Sequence, residues 1–276
     1  KLDRFHLKLL RKAVLENNRI EELCDGNFRP VRYKYLNTVF TQDFEKDMLK
    51  NIKTFCVKLY EKCLYLAPVN IRYGDMKRYY DLIVQKDDRC HFCGVSSLTI
   101  KYESKRNAFD HYLAKQTYPF VSVNFKNLVP ACSNCNNLRK GVKDVLLWKH
   151  KRVKAFYPYT KQQYSIQVKI KFKEGVVYSD NLVPSDFDLL CVCDGYQEQV
   201  DNWMRVYDIE EHFKAKCCGG TVKSKLAEIM DLCEIKNMSV ETILQHMENN
   251  LDYDMNFLKV PFIRAALLSI SNPSIN

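Results

Sequence analysis

Four cysteines constrain this chain more than any other residues. Cys90 and Cys93 form one C-x-x-C pair, Cys132 and Cys135 form a second, and 38 residues separate the inner two. Each pair sets two thiolates on one tight turn, and two such turns complete a tetrahedron around zinc. The separation exceeds that of a compact zinc ribbon, so a folded insert must lie between the pairs. A redox couple needs one pair, not two. His91, inside "CHFC", is a competing ligand that four cysteines make unnecessary. A closed four-cysteine site leaves no position for water, so this zinc is expected to staple the fold and do no chemistry.

The chain has 12 cysteines in 276 residues. The other eight are scattered or adjacent and do not suggest a disulfide framework. Cys191, Cys193, Cys217 and Cys218 are expected to be ordinary core or surface thiols. No apolar run approaches the roughly 18–20 residues that cross a bilayer. The opening stretch "KLDRFHLKLLRKAVLENN" is charged and helix-like rather than a leader. A cytoplasmic location without membrane attachment is expected.

Charge is distributed unevenly. Residues 77–154 carry a net +10, equal to the excess of the whole chain, while residues 177–276 carry −8. A basic middle suits a polyanion such as nucleic acid. The acidic end would repel one and suits a protein partner or plain solvation.

Periodicity divides the chain into a helical region 1–75, a zinc-braced core 76–155 and a mixed region 156–276. In 41–66, Phe44, Met48, Ile52, Phe55, Leu59 and Cys63 recur at three- and four-residue steps and predict one amphipathic helix, ended at "LAPVN" by its proline. "DMKRYYDLIVQ" predicts a short helix before the first cysteine pair. "SLTIKYE" (97–103) and "NAFDHY" (107–112) predict a hairpin, and "NNLRKGVKDVLLWKHKRV" a helix after the second pair. "YSIQVKIKF" alternates strictly and predicts a strand with Ile166, Val168, Ile170 and Phe172 on one face. Helical patterns return from about 199. The expected class is α+β, mainly helical.

Within the insert stand Asp110-His111, then Asn127, then Cys132-x-x-Cys135-Asn136. In order and spacing these residues resemble the HNH endonucleases, a family with a ββα-metal fold often braced by zinc knuckles. The resemblance covers roughly residues 88–145. It implies that His111 is the general base, that Asp110 and Asn136 hold Mg2+ (or Mn2+ or another divalent ion), and that Asn127 holds the loop and orients His111. That fits phosphodiester hydrolysis, which needs an activated water and a cation where charge builds. Arg139, Lys140 and Lys143, on the helix expected after Cys135, are candidate phosphate contacts. The chain departs from the family at Asn136, where many members have His, and at Ala114, where a proline is common.

"YYDLIVQKDDRCHFCG", "RVYDIEEHFKAK" and the helix near 256–270 loosely resemble HNH proteins of bacterial anti-phage systems such as the Septu type. The HNH resemblance implies DNA as substrate, and this looser one a protein partner, such as an ATPase subunit, with the acidic end as candidate docking surface. Two alternatives remain open from the sequence: a zinc-dependent nucleic-acid-binding module without catalysis, and an adaptor whose role lies in the acidic end.

Overall fold

The computed structural model describes residues 2–271. The chain is α+β, about half helical with small sheets. It divides into two compact units, Lys1–Gln163 and Tyr164–Asn276. The first unit therefore holds both the N-terminal helices and the core that the sequence divides at 75/76.

The first unit opens with α1 (Arg4–Leu15), α2 (Ile20–Cys24), α3 (Tyr33–Val39) and α4 (Asp43–Glu61). Asp3 caps α1 by accepting the His6 amide at 2.8 Å, and a Gln42–Glu45 capping box starts α4. Ala13, Leu36, Phe40, Leu49 and Phe120 pack into one core, with Met48, Ile52 and Cys56 against it. The buried stripe of α4 thus differs from the expected one, because Phe44 and Phe55 are more than half exposed. Nor does Pro68 end this helix. α4 stops at Glu61, and Pro68 sits in the first turn of α5 (Ala67–Tyr73), where its missing N–H costs no hydrogen bond. α6 (Met76–Val84) follows, with Asp75 accepting the Arg78 amide at 2.6 Å.

The hairpin is not the expected one. Residues 97–103 form no strand beyond a bridge from Ser97 to Arg89. β1 (Phe109–His111) instead pairs antiparallel with β2 (Leu128–Pro130), across the long loop 112–127. Local alternation could not reveal a partner that far along the chain. The helix after Cys135 is also shorter than expected. A π-helix, Asn134–Lys140, ends at Gly141, and β3 (Leu147–Trp148) and β4 (Lys151–Arg152) form a second small hairpin. Its two-residue turn is Lys149-His150, both at positive φ, with no Asn-Gly to announce it.

In the second unit, β5 (Gln167–Phe172) pairs antiparallel with β6 (Phe187–Val192), close to the expected strand. α7 (Gln197–Tyr207), α8 (Ile209–Cys217), α9 (Gly220–Lys236), α10 (Val240–Glu248) and α11 (Asn256–Ser271) follow. Phe262 of α11 packs its ring against Phe172 and Phe187 at 5.9 and 5.7 Å. Cys191, Cys193 and Cys217 are buried here as ordinary core thiols, and Cys218 is half-buried. No helix among the described residues is long and apolar enough to cross a membrane.

Candidate functional site

Two tight turns build the first part of the site. In the first, the Gly94 amide donates to the Cys90 carbonyl at 2.8 Å, and Gly94 takes φ 67°, which a side chain would resist. In the second, the chain passes from β2 through Cys132 into the π-helix that carries Cys135. The four sulfurs lie within 4.8 Å of one another, and all four residues are buried. Zinc–sulfur bonds of about 2.3 Å put tetrahedral sulfurs about 3.8 Å apart, so the donor set fits zinc after slight closure. Backbone amides already point at it: Cys132 N–H to Cys90 Sγ and Cys135 N–H to Cys132 Sγ, both 3.4 Å. Hydrogen bonds from Cys135 and Cys90 pull the Cys132 thiol down to about 6, while those two thiols are held up. The cluster can lose one proton easily, and the rest require a nearby cation. His91 is outside the group.

The second part sits where β1 ends. Successive residues on a strand face opposite ways, and Asp110 is buried while His111 is half-buried. His111 Nε2 lies 3.0 Å from the Ser122 carbonyl oxygen. A carbonyl only accepts, so Nε2 carries the proton and Nδ1 keeps the lone pair. Burial pushes the imidazole down to about 4, with the Ser122 hydrogen bond opposing and Lys115 and Lys140 assisting. At neutral pH the ring is therefore an uncharged base. Its position is fixed from α4: the Tyr60 ring meets it edge-on at 4.3 Å, and Ser122 Oγ donates to the Cys56 carbonyl at 2.8 Å.

Asn127, fully buried, staples the loop that carries Ser122. Its Oδ1 accepts the Leu113 amide at 2.7 Å, and its Nδ2 donates to the carbonyls of Leu113 and Val121 at 3.1 and 3.3 Å. Val121 directly precedes Ser122, so Asn127 braces the acceptor that orients His111.

Lys140 is not on the surface. It is 1 % exposed, and its Nζ donates to Asp110 Oδ1 at 2.9 Å and to the His111 carbonyl at 2.8 Å. The expectation of a phosphate contact fails for this residue, because a buried ion pair consumes its charge. The π turn is the cause: residues four and five apart stack along it, and the Gly141 amide donates to the Asn136 carbonyl at 3.0 Å. That phase turns Lys140 inward toward Asp110. Burial raises the Asp110 carboxyl and the Lys140 ammonium opposes it. Asp110 Oδ2 is buried with no hydrogen-bond partner. An orphaned carboxylate oxygen of this kind fits a hard cation.

Asn136 lies inside the π-helix, whose N-cap is Ser133, so it does not cap the helix. It is half-buried, and no hydrogen bond among the described residues holds its side chain. Arg139 is half-buried on the same helix. Lys143 is half-buried in the turn after Gly141 rather than on a helix. The structure thus joins Asp110, His111 and Lys140 directly and ties Asn127 to their loop. Tyr60, Ser122 and Lys140 are participants the sequence reading missed as such. Only the "NNLRKG" context of Lys140 offered any signal.

Fold and site define a class of architecture: a short hairpin and a helix around a buried Asp110 and a half-buried His111, braced by a tetracysteine cluster. Known proteins of similar sequence are these. The chain is 36% identical over 63 residues to Septu protein PtuB of Bacillus thuringiensis, covering 23% of this chain and 23% of that protein. It is 30% identical over 138 residues to protein ea31 of Escherichia phage lambda, covering 49% of this chain and 40% of that protein. The chain thus spans less than half the length of either curated relative. No family model matches the chain, and no solved structure matches it.

Proposed function

We propose that this chain is a metal-dependent endonuclease of the HNH type that hydrolyses DNA phosphodiester bonds. The observation that carries the reading is a His111 imidazole kept neutral by burial and turned by its Ser122 hydrogen bond so that Nδ1 holds the lone pair, next to a buried carboxylate with one orphaned oxygen. His111 Nδ1 takes the proton of the attacking water. Asp110 Oδ2 and the Asn136 amide oxygen are the donors for a divalent ion such as Mg2+. When bound, that ion supplies positive charge for the developing phosphorane and the leaving oxygen. Asn127 keeps Ser122, and through it His111, in register. Arg139 and Lys143 remain the candidate phosphate contacts, and Cys90, Cys93, Cys132 and Cys135 hold structural Zn2+.

The similarity to Septu protein PtuB supports a role in anti-phage defence within a defence complex; an ATPase subunit as the partner and the acidic second unit as the docking region complete the proposal.

A second reading, a zinc-braced nucleic-acid-binding module without catalysis, has one observation in its favour. The Lys140 ammonium already neutralises Asp110, so the site holds its own internal cation. Supercoiled plasmid incubated with Mg2+ separates the two. We expect nicking or linearisation by the wild type and a loss of at least about a hundredfold in His111→Ala, the usual worth of a general base. Equal cleavage by His111→Ala would falsify the catalytic assignment. Mn2+ titration of both proteins by electron paramagnetic resonance covers the case in which the wild type is silent without a partner. Metal bound by both, and lost in Asp110→Asn, supports the nuclease; no metal bound by either supports the binding module.

A further inference from the structure

Within the first unit, a cleft of about 460 Å3 opens between α1, residues 29–32, α3 and the tip of the β3–β4 hairpin. Small-molecule sites span roughly 300–1,000 Å3. Lys12, Arg29, Arg32 and His150 line this one, and no carboxylate does. Two of the cations have acidic neighbours just outside the lining. Lys12 lies 3.4 Å from Glu16, and Arg32 lies 3.8 Å from Asp144. Asp144 is already occupied by the Tyr118 hydroxyl at 2.8 Å and the Leu146 amide at 2.9 Å, so its hold on Arg32 is loose. Arg29 is exposed and has no acidic partner among the described residues. The walls therefore offer surplus positive charge, with guanidinium forks suited to phosphate.

The rest of the lining is apolar or aromatic. Leu9 and Val31 supply apolar wall, and Tyr35 stands half exposed beside them. A solvent-facing tyrosine next to apolar wall and cationic groups suits a stacked base. The hairpin tip adds a further sign. Lys149 and His150 take φ 46° and 66°, a two-residue turn normally given to Asn-Gly. Lysine and histidine are held there against their backbone preference, and His150 is thereby brought to the cleft.

We propose that this cleft binds a nucleotide, with phosphate on Arg29 flanked by Lys12 and Arg32, and the base on Tyr35. The proposal depends on none of the nuclease assignments. A free nucleotide and one unit of a nucleic-acid strand share this chemistry, so the test carries a probe for each.

Binding of adenosine 5′-monophosphate by calorimetry, and of a fluorescein-labelled single-stranded oligodeoxyadenylate by anisotropy, is measured without added divalent ions. The proteins are wild type, Arg29→Glu, Tyr35→Ala and Lys34→Glu. Lys34 is exposed on α3 outside the cleft lining, so its variant controls for net charge. We expect the first two variants to lose about tenfold in affinity, the scale of one charged hydrogen bond or one stacked base, and Lys34→Glu to bind like wild type. Monophosphate binding assigns a free nucleotide; binding of the oligonucleotide alone assigns a strand. The proposal is overturned if the wild type binds neither probe, if all variants bind alike, or if Tyr35→Ala alone is without effect. It is also overturned if inorganic phosphate displaces the probe as well as the monophosphate does, which marks a plain anion patch.

Discussion

Lys140 shows how far the meaning of a residue depends on its surroundings. In the sequence it is one of a run of basic residues after the second cysteine pair, suited to phosphates. In the fold it is an internal cation that neutralises Asp110 and fastens the end of β1. Lys140→Ala leaves a buried carboxylate uncompensated and should cost about 3–5 kcal/mol in denaturant unfolding. Adding Asp110→Asn should restore much of that, because the charge needing a partner is gone. If the double variant is as unstable as the two single losses added together, the ion pair is not the link. His111 makes a second prediction at this scale. Its folded value of about 4 lies below the ordinary 6.5, so the fold favours the neutral ring. This contribution is fully present above pH 6.5 and is lost as pH falls toward 4, because the unfolded chain takes the proton first. Wild type should therefore lose stability relative to His111→Gln over that window, by up to about 3 kcal/mol. Parallel melting curves with pH for both proteins would reveal it, and an unchanged difference would refute the depressed value. Asp110, His111 and Asn127 were legible as residue types in a pattern. The partners that give them their properties, Ser122 and Tyr60, carried no pattern of their own.

Among the elements, the loop 112–127 and the π-helix decide the site. Asn127 makes three buried hydrogen bonds to the loop backbone, from both ends of its amide. Asn127→Ala strands the Leu113 amide and should cost about 2–3 kcal/mol. Asn127→Asp should cost more, although it is isosteric, because a carboxylate oxygen then faces the carbonyls of Leu113 and Val121. The order Asn > Ala > Asp in chemical denaturation checks this. Asp above Ala would mean that packing volume, not donor direction, matters here. The element boundaries show where local signals failed. β2 lies too far along the chain for alternation to pair it with β1. The run after Cys135 read as one long helix because Gly141 is a weak stop and Lys149-His150 is an unusual hairpin turn. By contrast β5 was legible, because strict alternation survives whatever packs on it. The tetracysteine cluster was also legible, because two C-x-x-C turns leave few alternatives.

On the scale of the molecule, charge and unit structure run together. The net +10 of residues 77–154 lies in the first unit, and the net −8 of residues 177–276 in the second. Like charges raise the cost of bringing a polyanion near, and salt screens them. A fragment ending at Gln163 should therefore bind duplex DNA about tenfold more tightly than the whole chain at low ionic strength, with the gap closing toward about 0.5 M salt. Fluorescence anisotropy over a salt series measures it. A fragment that binds no better at low salt would show that the acidic unit does not modulate DNA affinity.

The sequence by itself determined the α+β class and the tetracysteine cluster able to hold a metal, because ligand spacing and residue chemistry are local properties of a chain. Tertiary structure alone decided which strand meets β1, that Lys140 turns inward, that burial holds His111 neutral while Ser122 sets its tautomer, and that Arg29, Tyr35 and His150 share one cleft. Those outcomes depend on contacts between residues far apart in sequence, and on the low dielectric that burial creates around them.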